Sequence, residues 1–94
     1  MKKVTCFYME SCPYCRQAKK CLEELIEEHP EYGAVEFEYI DETQQPEIAE
    51  QYDYYANPSM FIGKEKIYEA HLFETKEECR KHVEEVLQKA LETV

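Results

Sequence analysis

Apolar side chains follow two different periods along this chain, and the switches between them outline its elements. Lys3–Met9 alternates weakly and is rich in Val, Thr, Phe and Tyr. That pattern predicts a strand, apolar enough on both sides to lie centrally in a sheet. Glu10-Ser11-Cys12 makes a short loop, and Pro13 suits the first turn of a helix, where its missing N–H does no harm. Ala18, Cys21, Leu22, Leu25 and Ile26 then recur at helical spacing, an apolar stripe running to about Glu28. His29-Pro30 and Tyr32-Gly33 close it. Val35, Phe37 and Tyr39 alternate with Glu36 and Glu38 ahead of Ile40-Asp41, a second strand. Strand, helix and strand in succession imply a right-handed parallel crossover.

Asp41–Gln45 reads as a loop, Pro46 opens a short helix to about Tyr52, and Tyr54–Asn57 connects onward. Ser59–Ile62 and Lys66–Ala70 are two short strands around Gly63-Lys64-Glu65, a hairpin by length and turn residues. Thr75 with Glu78 three positions on forms a capping box. The helix it starts carries Cys79, Val83, Val86, Leu87, Ala90 and Leu91 on one face. The predicted order is β-α-β-α-β-β-α, an α/β fold. A four-stranded mixed sheet with helices on both faces accounts for it. Length and the lack of linkers or repeats predict a single domain over residues 1–94.

Charge narrows the function classes. The formal net charge of −10 argues against nucleic acid, which demands a basic face, and against an anionic membrane surface. No stretch approaches the ~20 apolar residues of a membrane span, and the short apolar run Val4–Met9 ends in Glu10, unlike a signal peptide. The expected setting is the cytoplasm, a reducing compartment. Five cysteines, an odd number, do not suit a static disulfide framework. In a reducing compartment a Cys-x-x-Cys pair reads as redox or metal chemistry.

Cys12 and Cys15 form that pair at the strand-to-helix junction. Thiols attack disulfides as thiolates. The backbone N–H groups and positive end of a helix favour negative charge at Cys12, the predicted N-cap, and Arg16, Lys19 and Lys20 add to that while Glu10 opposes it. Cys15, one turn further in, is expected to be more buried. The asymmetry assigns Cys12 as the attacking thiol and Cys15 as the resolving one. Pro13 keeps the first turn rigid, and Tyr14 offers an aromatic rim. A zinc site would need a second pair of ligands, but Cys6, Cys21 and Cys79 stand singly and the three histidines lack ligand spacing. No metal and no cofactor is expected. Cys21 and Cys79 read as core packing, and Cys6 as a strand residue pointing inward. Asn57-Pro58 directly precedes the third strand. By base rate alone, with cis at only ~5% of X–Pro bonds, the trans form is ahead.

Cys12-Pro13-Tyr14-Cys15-Arg16, at the head of this element order, resembles the active site of dithiol glutaredoxins, and the chain resembles the thioredoxin-fold superfamily over nearly its full length. The resemblance implies that Pro58 is cis and packs against the dithiol. It implies that the backbone of Asn57 pairs with substrate backbone. The glutathione clamp of glutaredoxins, however, is missing from this sequence. Tyr8-Met9-Glu10 stands where a lysine is usual, Tyr54 and Tyr55 precede the proline loop in place of a basic residue or Gln, and His71-Leu72-Phe73-Glu74-Thr75 replaces a glycine-rich turn.

The expected activity is therefore thiol–disulfide exchange through Cys12 and Cys15 by a monomeric enzyme. Its expected substrates are disulfides in proteins or small molecules. Its reductant would be glutathione, weakly held, or a thioredoxin-reductase-type protein. A metal or iron–sulfur protein using Cys12, and a non-catalytic adaptor, are the alternatives.

Overall fold

The computed structural model describes residues 3–92. Strand β1 (Val4–Tyr8) leads into helix α1 (Pro13–Glu28), a 3₁₀ turn (Pro30–Ala34) and strand β2 (Phe37–Asp41). Helix α2 (Pro46–Ala49), strands β3 (Ser59–Ile62) and β4 (Glu65–Glu69), and helix α3 (Lys76–Glu92) follow. The four strands form one sheet in the order β2-β1-β3-β4. β1 runs parallel to β2 and antiparallel to β3, and β3 is antiparallel to β4. The mixed four-stranded sheet and the thioredoxin-like order agree with the sequence reading.

β1 is central because its side chains are apolar on both faces. Val4 and Cys6 point into one layer with Leu22, Leu25, Val83, Val86 and Leu87 of α1 and α3. Phe7 points the other way, meeting Ile40 and Phe61, with Ile48 and Ala49 of α2 packed over them. Each fully buried aliphatic or aromatic side chain here contributes on the order of 1.5–3 kcal/mol. Tyr52 and Tyr54 close the α2 side, with ring centroids 4.7 and 4.9 Å from that of Phe7.

The differences from the sequence reading are local. α2 stops at Ala49 rather than reaching Tyr52, because Tyr52 and Tyr54 are drawn onto Phe7 and Phe61. The segment after α1 coils into a 3₁₀ turn, where Tyr32 is buried and its hydroxyl donates to Glu84 at 2.9 Å. The turn of the hairpin is Gly63-Lys64, with Gly63 at φ 63°, a conformation glycine adopts without steric cost. The α3 capping box forms as predicted: the Glu78 N–H donates to Thr75 Oγ1 at 3.2 Å, and the Thr75 N–H donates to Glu78 Oε1 at 3.0 Å.

Candidate active site

Cys12 is the N-cap of α1, extended at φ −82° and ψ 118°, with Pro13 following at the first helical position. Its carbonyl accepts the Arg16 N–H at 3.2 Å, which starts the helical ladder, and its own N–H donates to the Met9 carbonyl at 3.1 Å. The loop after β1 therefore delivers the Cys12 thiol to the end of the helix. No side chain caps this end, and the first turn carries no acidic residue, so the free N–H groups and the helix dipole face the sulfur's surroundings.

The sulfur of Cys12 donates to the Asn57 carbonyl at 3.6 Å. The Asn57–Pro58 peptide bond is cis, and Pro58 is fully buried. Residues distant in sequence are thus brought within bonding reach of the thiol. The loop before Pro58 is held by Glu69 at the end of β4, whose carboxylate accepts the Tyr55 N–H at 2.5 Å and the Ala56 N–H at 2.7 Å. Lys66 sits 2.7 Å from the same carboxylate. Burial opposes ionisation of Glu69, but Lys66 and the two N–H donors outweigh it and hold the carboxyl below its ordinary value.

Cys15 lies one turn into α1, half-buried and close enough to the Cys12 side chain for the two thiols to influence each other's ionisation. Burial pushes its thiol up to about 12; the Met9 N–H works against this, and the Cys12 side chain and the Glu42 charge add to it. Neighbouring Cys6 is also pushed up to about 12, first by burial and then by Cys15. A cavity of about 340 Å³ opens behind the pair, lined by Cys6, Cys15, Lys19, Tyr39, Pro58 and Met60. None of the five cysteines takes part in a disulfide in this structure.

The supporting residues take places that sequence spacing did not foretell. Tyr14 does more than form a rim: its hydroxyl accepts the Phe73 N–H at 2.7 Å, tying the loop before α3 to the first turn of α1. Arg16 turns back to donate to the Glu10 carbonyl at 3.2 Å. Of the tyrosines near Pro58, Tyr52 and Tyr54 serve the core, and Tyr55 stands 89% exposed. Leu72 and Phe73 are exposed at 71% and 82%, beside the Tyr14 hydroxyl. Glu74 is turned inward, its carboxylate accepting from the Tyr68 hydroxyl and, at 3.2 Å, from the His71 N–H. Sequence pattern did not single out Glu69 or Glu74, since what gives them their roles are the Tyr55 and Ala56 N–H groups and the Tyr68 hydroxyl, which other segments supply. Among the described residues, no group of three or more His, Cys, Asp and Glu side chains is placed to hold a metal ion. No helix among them is long and apolar enough to cross a membrane.

A cysteine pair at the first turn of α1, a cis proline opposite it, and a β-α-β unit continued by a β-hairpin and helix define a thioredoxin-like domain. The chain belongs to the thioredoxin family, whose model, described as Thioredoxin, matches residues 2–90. It is 38% identical over 61 residues to the thioredoxin of Methanocaldococcus jannaschii, covering 65% of this chain and 69% of that protein. The zinc-bound form of human ERp44 shares the fold, with a TM-score of 0.53 at 19% identity over 90% of this chain. This chain corresponds to 26% of that structure's length.

Proposed function

We propose that this chain is a thiol–disulfide oxidoreductase with a glutaredoxin-like Cys-Pro-Tyr-Cys centre, exchanging with disulfides of proteins or small molecules. The observation that carries this reading is the bond from the Cys12 thiol to the Asn57 carbonyl, with Cys15 one turn on, at an uncapped helix N-terminus. The Cys12 thiolate attacks one sulfur of the substrate disulfide. The substrate S–S bond breaks, and its other sulfur leaves as a thiolate that takes up a proton. Cys15 then loses its proton and attacks the Cys12 sulfur, expelling the second substrate thiol and leaving a Cys12–Cys15 disulfide. Two electrons pass to the substrate. A dithiol or a pair of thiol molecules must return them to the enzyme. In this reading Asn57 offers its backbone to the substrate chain, and Pro13 and Pro58 fix the two sides of the reaction centre.

The arrangement favours a protein donor over specific glutathione binding. At the N-terminus of α3 the Thr75 N–H and hydroxyl, donors a carboxylate ligand there could use, already donate to the chain's own Glu78 carboxylate. The adjoining loop presents Leu72 and Phe73, which offer a carboxylate no hydrogen bond. Cys15→Ser is expected to trap a mixed disulfide on Cys12, and Cys12→Ser to abolish turnover. Absence of any trapped species with Cys15→Ser would defeat the mechanism. Parallel turnover with glutathione and glutathione reductase, and with NADPH and thioredoxin reductase, separates the donors. Weak coupling to glutathione is expected, and efficient coupling would reject the argument from Glu78.

A further inference from the structure

Cys21 and Cys79 have no part in the chemistry at Cys12, and they stand 58 positions apart in sequence. Folding brings them together. Cys21 on α1 is 0% exposed and Cys79 on α3 is 1% exposed, and the two thiols are near enough for each to influence the other's ionisation. Independent contacts fix the same juxtaposition. The Cys21 sulfur reaches the carbonyl of Lys76, one turn before Cys79, at 3.9 Å. The Tyr68 hydroxyl donates to the Cys79 sulfur at 3.6 Å.

The helix seam around them is fastened on both sides. One turn before Cys21, Gln17 donates to the carbonyls of Glu74 and Thr75 at 3.3 and 3.4 Å. One turn after it, Glu24 meets Lys76 at 3.0 Å and Arg80 at 3.4 Å, and Glu28 also pairs with Arg80. The register of α1 against α3 is therefore set by polar contacts flanking the two sulfurs.

We propose that Cys21 and Cys79 are a second dithiol, oxidised by a peroxide to a disulfide that ties α1 to α3. One sulfur, as its thiolate, attacks a peroxide oxygen. The O–O bond breaks, and in the case of hydrogen peroxide the departing hydroxide takes up a proton as water. The other sulfur then attacks the sulfenic acid so formed, S–O breaks and a second water leaves. Two thiols and one hydrogen peroxide become one disulfide and two waters, with two electrons passed to the peroxide. Burial excludes protein disulfides as the oxidant and admits a small uncharged molecule. It also pushes the Cys79 thiol up to about 12 and raises that of Cys21, so the reaction is slower than at an exposed thiol. The product would close a loop of about 60 residues and so restrict the unfolded chain strongly.

The test treats folded Cys12→Ser/Cys15→Ser protein with hydrogen peroxide, followed by alkylation in denaturant and digestion without reductant. The expected product is lighter by two hydrogens and yields a peptide linking Cys21 to Cys79. Its unfolding midpoint rises by at least about 10 °C and returns on reduction. Sulfinic or sulfonic acid at either cysteine, a bridge to Cys6, or two unmodified thiols overturns the proposal. The same peptide map on the unaltered protein decides the matter if the double variant does not fold. Tryptic cleavage at Arg16, Lys19 and Lys20 separates Cys12 and Cys15 from Cys21. Because the product is read by mass, its failure is distinct from a failure of exchange chemistry at Cys12.

Discussion

Phe73 combines two costs: a backbone φ of 65° without being glycine, and a ring left 82% exposed. The left-handed region costs a non-glycine residue roughly 1–2 kcal/mol, and burial of the ring returns little. Exposed apolar groups on a strained loop beside the proposed reaction centre are candidates for substrate contact. Phe73→Gly is therefore expected to leave stability unchanged or raise it by up to about 1 kcal/mol in urea unfolding. The same change is expected to slow turnover of a protein disulfide several-fold while sparing a small disulfide. Equal effects on both substrates would remove Phe73 from substrate docking.

At the scale of elements, the site depends on one loop being held against one helix end. α1 brings Cys12 and Cys15, and the loop before β3 brings Asn57 and Pro58. Glu69 at the end of β4 fastens that loop through the N–H groups of Tyr55 and Ala56. Glu69→Ala is expected to cost about 1–3 kcal/mol, because the Ala56 N–H is partly buried and loses its acceptor. Amide hydrogen exchange at residues 55–57 should quicken, and turnover should drop. Glu69→Gln keeps an acceptor oxygen and should recover part of both. Unchanged exchange in Glu69→Ala would mean that Glu69 does not hold the loop.

Across the whole molecule, buried thiols make stability depend on alkaline pH. Burial raises Cys6 and Cys79 from the ordinary value of 9.0 to about 12. In the unfolded chain both ionise above that ordinary value, whereas in the folded chain they stay neutral until about 12. Their contribution is complete below pH 9 and is lost as pH rises toward 12. The slope is on the order of 1 kcal/mol per thiol for each pH unit. Urea midpoints at pH 8 and pH 10.5 should show the fall, and Cys79→Ala should flatten it. A midpoint that falls as steeply without Cys79 would assign the loss to other groups.

Period and punctuation in the sequence already determined the element order, the central place of β1 and the position of Cys12 at a helix start. These are legible because they rest on neighbours one to four residues apart: the alternation in β1, the stripe in α1, Pro13, and the Thr75–Glu78 box. Tertiary structure decided what depends on distant partners. It set Asn57 against Cys12, turned Glu74 inward, gave Glu69 its loop, and ended α2 early as Tyr52 and Tyr54 packed on Phe7. It also brought Cys21 close to Cys79, which the sequence presents as two solitary core thiols. No local period encodes a contact across 58 residues; only the packing of α1 on α3 makes it.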